Sequence, residues 1–181
     1  AAIRTATPAS STTGGGYVLL LGKEAVNAGT IDTPAGQALL AAGDSFVIKR
    51  GQGTSGNLVS TTKGNDVMPA GLPGRVENTG LIQAALGDVT LTGGDVAQRG
   101  VVLSSTSVDT RGTVHLTATG ANGRITVAEN STTAILLDRS GALALDSQRD
   151  GLRVPPAVQS DSSLLAAGAD RRELSLSLIH I

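Results

Sequence analysis

The chain has 181 residues, a formal net charge of −1 and 16% charged residues, a balance that leaves no basic footprint for nucleic acid. It has no cysteine, which excludes a disulfide framework and any thiolate metal site, and no apolar run long enough for a membrane-spanning helix. Aromatic residues make up 1%, Tyr17 and Phe46, so anything buried must be Leu, Val, Ile or Ala. The 24 glycines and abundant Ser and Thr suit short strands with tight turns. Scattered Gly would cost a helix about 1 kcal/mol each.

In chain order, residues 1–13 are rich in Thr, Ser and Ala and are expected to form an irregular lead-in. The start at Ala1, without a charged-then-apolar leader, reads as a fragment; a signal peptide, if there was one, is expected outside it. From residue 14 one pattern recurs: Gly, any residue, apolar, any residue, apolar. It occurs as Gly16-Tyr-Val-Leu-Leu20, Gly36-Gln-Ala-Leu-Leu40 and Gly87-Asp-Val-Thr-Leu91. It returns as Gly112-Thr-Val-His-Leu116, Gly123-Arg-Ile-Thr-Val127 and Gly141-Ala-Leu-Ala-Leu145. Each copy reads as a turn residue followed by a half-buried strand of period two. A longer match, at a constant offset of 51, joins Asn27-Ala-Gly29-Thr-Ile31, Gly36, Leu40 and Gly43-Asp44 to Asn78-Thr-Gly80-Leu-Ile82, Gly87, Leu91 and Gly94-Asp95. The unit predicts two short strands and two turns in roughly twenty residues, too little to bury an apolar face without stacking on neighbours.

The spacings between successive pattern glycines are 20, 51, 25, 11 and 18. Those near twenty fit one coil of a β-solenoid, and the 11 fits two strands of a single coil. The 51 contains residues 51–75, dense in Gly, Ser, Thr, Asn and Pro, expected to be a loop thrown out from one coil. Beyond residue 153, Pro155-Pro156 ends any strand, so 154–181 is expected to be an irregular, weakly helical tail. Residues 174–181 alternate like a strand but fit no repeat frame; they resemble translated sequencing-adapter read-through and carry no functional assignment. The fold class expected is all-β: a parallel β-helix (β-solenoid) over residues 14–153, with one inserted loop.

The run from Gly16 to Gly43, Val76-Glu-Asn-Thr-Gly-Leu-Ile-Gln-Ala84 and Ala144-Leu-Asp-Ser-Gln-Arg-Asp150 resemble the filamentous-haemagglutinin-like exoproteins of Gram-negative bacteria. The resemblance covers most of residues 14–153. It implies a right-handed β-helix, secreted or displayed on the cell surface, and export by two-partner secretion through an outer-membrane transporter. It also implies structural and adhesive work as the shaft of an adhesin, with virulence as its setting, and a partner that is a host-cell or bacterial surface glycan or protein. The family's Asn-Pro-Asn motifs are missing from this sequence, which points to shaft rather than secretion domain, with transporter contacts outside this chain. Arg-Gly-Asp is also missing; Arg149-Asp150-Gly151 has the reversed order and is not equivalent. An alternative is the stem of a contact-dependent growth-inhibition toxin. A less favoured one is a polysaccharide-cleaving β-helix enzyme, which would need clustered acids on one face.

Other constellations read as structure. Gly51-Gln-Gly53-Thr-Ser-Gly56 spells a dinucleotide fingerprint, but no helical periodicity follows to aim amides at a pyrophosphate. His115 falls at an outward strand position and is expected in solvent; neither it nor His180 has a metal-ligand companion. Asp44, Asp95, Asp88 and Gln37 follow glycines and read as turn chemistry. Asn27 and Asn78 are expected to stack as an amide ladder. No catalytic, cofactor-binding or metal residue is assigned, no cofactor and no nucleic-acid partner is expected, and the chain is not expected to be an enzyme.

Overall fold

The structure, a computed structural model, describes residues 1–7, 15–50, 64–107 and 110–138. These residues belong to one compact unit, Ala1–Arg139, and among them there are strands and turns but no helix. The first sheet contains β2 (Tyr17–Gly22), β5 (Gln37–Arg50), β9 (Asp88–Gly93) and β12 (Thr113–Ala118). The second contains β3 (Glu24–Asn27), β7 (Arg75–Asn78), β10 (Asp95–Gln98) and β13 (Arg124–Val127). The third contains β1 (Ala2–Arg4), β4 (Thr30–Asp32), β8 (Leu81–Ala84), β11 (Val101–Thr106) and β14 (Thr132–Leu137). Within each sheet the neighbours follow chain order and pair in parallel. The described strands thus visit the first, second and third sheets in that order four times, each pairing with its counterpart from the visit before; one such visit is a circuit.

Period-two patterning decides what is buried. Val18, Ala38 and Val89 stack in register across the first sheet, as do Leu20, Leu40, Leu91 and Leu116. Val89 and Leu91 are completely buried and face the interior, while Thr90 faces away. Ala25, Val76 and Val96 line the inner face of the second sheet, and Ile31, Ile82 and Val102 that of the third. Each fully buried Val, Leu or Ile stabilises the fold by about 1.5–3 kcal/mol. The buried rows are all aliphatic, which fits the composition.

Three expectations are corrected and one agrees with the structure. A circuit holds three strands, not two, because the chain bends at residues 28–29, where Gly29 N–H donates to Asn27 Oδ1 over 3.1 Å. The bend is tight: a Cβ on Gly80 would run into the carbonyl oxygen of Gly29 on the circuit below. The pattern copy at Gly123 is a second-sheet strand, β13, so the spacing of 11 does span two strands of one circuit. The lead-in is not wholly irregular: β1 pairs with β4 and sets Ile3 against Ile31.

The last correction concerns the loop at 51–75. The excursion begins earlier, at the irregularity between Gly43 and Ser45, and returns as β6 (Asn65–Pro73), antiparallel to the distal part of β5. The reason lies on the outer face of the first sheet, where Leu19, Leu21, Leu39 and Ala41 are apolar at positions expected to be wetted. Val67 and Phe46, carried by this two-stranded arm, pack on them as a second small core. The Gly51–Gly56 motif, the Gly141 copy, Arg149-Asp150-Gly151, Pro155-Pro156, His180 and the tail at 154–181 lie outside the described residues.

Candidate functional site

The expected amide ladder is present, buried, and one residue longer than the sequence suggested. Asn27 Nδ2 donates to Asn78 Oδ1 and Asn78 Nδ2 to Gln98 Oε1, each over 2.8 Å. Gln98 Nε2 then donates to the carbonyl of Thr132 at 3.1 Å, so the ladder touches all four circuits. Asn78 and Gln98 are completely buried, and side branches to the carbonyls of Leu81 and Val101 use the remaining donors of Asn27 and Asn78. Gln98 was missed because it replaces Asn in the unit, although Gln98-Arg-Gly100-Val-Val102 keeps the Gly and the apolar residue at the same offsets. This ladder is structural: it faces the interior and all three of its side chains are buried.

The acidic positions separate into three situations. Asp44 and Asp95, matched by their spacing, do not occupy equivalent places. The arm interrupts the circuit at Gly43, so it is Arg75 that stacks beside Asp95, while Asp44 stands at the base of the arm. There it receives the Leu72 N–H at 3.3 Å and pairs with Lys23 Nζ at 3.3 Å. Asp88 and Gln37 do share a register position, at the first residue of their strands, but both are fully buried on the outer side of the first sheet. Gln37 holds the arm: its Oε1 accepts the Asn65 N–H at 2.9 Å and its Nε2 donates to the Asn65 carbonyl. Asp88 accepts from the hydroxyl of Thr113 on the next circuit. Turn chemistry does not describe either residue.

His115 is half-buried rather than fully in solvent, on the outer face of the first sheet near the arm. Burial pushes its pKa below the ordinary 6.5, and the Asp66 carboxylate of β6 pulls weakly the other way. Among the described residues no group of three His, Asp or Glu could hold a metal ion.

An open groove of about 700 Å³ runs along the corner between the first and second sheets. Its charged members are Lys23, Glu24, Arg75 and Asp95; Gly74 and Gly94 form the floor, and the turn at 119–123 closes the far end. All four circuits contribute. The floor amides are spent inside the fold: Arg75 N–H donates to Lys23 O at 3.1 Å, Gly94 N–H to Gly74 O at 2.8 Å and Arg124 N–H to Gly94 O at 2.9 Å.

Glu24, Arg75 and Asp95 of the groove continue, with Arg124 beyond its lining, as an alternating row, one per circuit in register. Arg75 lies 3.7 Å from Glu24 and 2.8 Å from Glu77, Glu77 lies 3.0 Å from Arg99, and Arg124 lies 3.1 Å from Asp95. Exposed pairs of this kind contribute about 0–1 kcal/mol each, so they fix side-chain direction without binding tightly. Sequence reasoning passed over this row because its members fall in four segments whose alignment only the fold supplies. No family model, curated protein or solved structure matches the chain.

Proposed function

We propose that the chain is a stretch of the shaft of a secreted, surface-exposed adhesin of the filamentous-haemagglutinin type, its three sheets wound as a right-handed parallel β-helix. On this reading the work is reach and display rather than turnover, and export follows the two-partner route of the family it resembles. The observation that carries the reading is the buried ladder from Asn27 through Asn78 to Gln98, which crosses every circuit in one direction. A ladder of that kind suits a protein that extends by adding circuits, each stabilised by contact with its neighbours alone. The arm formed by β5 and β6 suits display, since it covers the outer face of the first sheet and leaves the parallel pairing on either side of β5 intact.

The test is adhesion. Beads coated with the 181-residue chain are expected to adhere to epithelial or bacterial cells more than beads coated with an inert protein of the same charge. Equal adhesion of the two bead types would sink the adhesive part of the reading.

A further inference from the structure

We propose that the arm is a self-pairing surface, through which two copies of this chain dock outer face to outer face about a two-fold axis parallel to β6. Residues directly opposite in an antiparallel pair point to the same face. Val47 therefore stands beside Met68, Lys49 beside Asp66 and Ser45 beside Ala70. One face of the arm is spent on the first sheet, where Val67 is 5% exposed. The opposite face carries these three pairs, all exposed, with Val47 at 45% and Met68 at 43%. Leu72, also exposed, follows past Gly71. The face is thus apolar in the middle and charged at one end. Neither Lys49 nor Asp66 belongs to an ion pair among the described residues.

The pattern fits a second copy because the two-fold operation turns each pair within the arm into a pair across the interface. With the axis between the two strands, Val47 meets the partner's Met68, Lys49 meets the partner's Asp66, and Asp66 meets the partner's Lys49. A chain of other sequence would have to supply that charge order, whereas this one already carries it. Strand addition along β6 is the weaker use of the arm. Asn65 turns its N–H and C=O away from β5, toward Gln37. Backbone groups alternate sides along a strand, so those of Val67 and Pro69 face the same open edge, and Pro69 has no N–H to offer an incoming strand. A face this small buries less than about 1,200 Å² in total, the range of weak, transient interfaces. Such pairing goes beyond reach and display and needs neither.

The experiment is sedimentation equilibrium of the whole chain from about 10 µM to about 1 mM, the span suited to so small a face. The average mass is expected to climb from one chain toward two. Lys49→Glu sets carboxylate against carboxylate at both symmetric contacts and should weaken dimerisation about tenfold; Asp66→Lys should do the same with ammonium groups. Mixed in equal amounts, the two variants should associate with each other as tightly as unaltered chains do, because each supplies the charge the other lacks. Only contact across the interface gives that rescue; repair within one arm does not. Met68→Glu should abolish dimerisation. These side chains are exposed, and unchanged thermal melts would show that the variants fold. A chain that stays monomeric throughout, a dimer indifferent to Lys49→Glu or Met68→Glu, or a mixture no tighter than its components would overturn the proposal.

Discussion

Asn78 sits in the middle of the buried ladder, receiving from Asn27 and donating to Gln98. Asn78→Ala leaves Gln98 Oε1 without that donor and opens a polar void, so it should cost about 2–4 kcal/mol. Asn27→Ala, on the first circuit, removes one rung only and should cost about 1 kcal/mol. Chemical-denaturation midpoints measure both, and equal costs would mean the ladder is not cooperative. Two other residues carry strain: Ala35 and Leu86 hold positive φ, 49° and 54°, at matching places in the turns that lead into β5 and β9. That conformation costs a residue with a Cβ roughly 1–2 kcal/mol, partly offset for Gly by its greater unfolded-state freedom. Ala35→Gly should therefore raise stability by up to about 1 kcal/mol, against the usual sense of a Gly substitution. A lowered midpoint would show that the turn is unstrained.

Among the elements, the arm is the one whose seating can be tested separately from the stack. Val67 is buried against Leu39 and Ala41, so Val67→Asp would place a carboxylate in an apolar contact and lift β6 from the first sheet. Hydrogen exchange should quicken at the β6 amides that bond to β5, while Val89 and Leu91 keep their protection. Faster exchange throughout would mean that the arm and the stack unfold together. His115 gives the same region a pH dependence. Its folded pKa lies below 6.5, so the unfolded chain binds more protons as pH falls through 6.5 toward the folded value. Stability should be full above about pH 7 and decline on acidification, and His115→Gln should flatten that slope. The arm also marks the limit of what the sequence shows. Residues 51–75 look like a loop because the second half of β6 is interrupted by Pro69, Gly71 and Pro73, and its packing surface sits far away in sequence at Leu19 and Leu39. The turn-to-strand copies at Gly16, Gly36, Gly87 and Gly112 were legible because each carries its own period-two signal.

For the whole molecule, the parallel, all-β organisation was legible from repetition, since units too small to bury a face must stack. The number of strands per circuit was not. The bend after Asn27 is made by a side-chain hydrogen bond, and hydropathy does not register it. The groove was invisible for a related reason: Lys23, Arg75 and Asp95 become neighbours only when the circuits align, across separations the arm makes irregular. The central claim is that alignment, and the absence of native cysteine allows a direct measurement. Glu24 and Arg75 are partners across the second sheet although 51 residues apart, whereas Glu24 and Asp95 are two circuits apart. A disulfide needs Cα atoms about 4.4–6.8 Å apart, which one circuit spacing of about 4.8 Å satisfies and two do not. Oxidation of a folded Glu24→Cys/Arg75→Cys variant should close an intramolecular bond nearly quantitatively, and Glu24→Cys/Asp95→Cys should close none. A folded first variant that stays reduced, or a second that cross-links as readily, would contradict the stacked register.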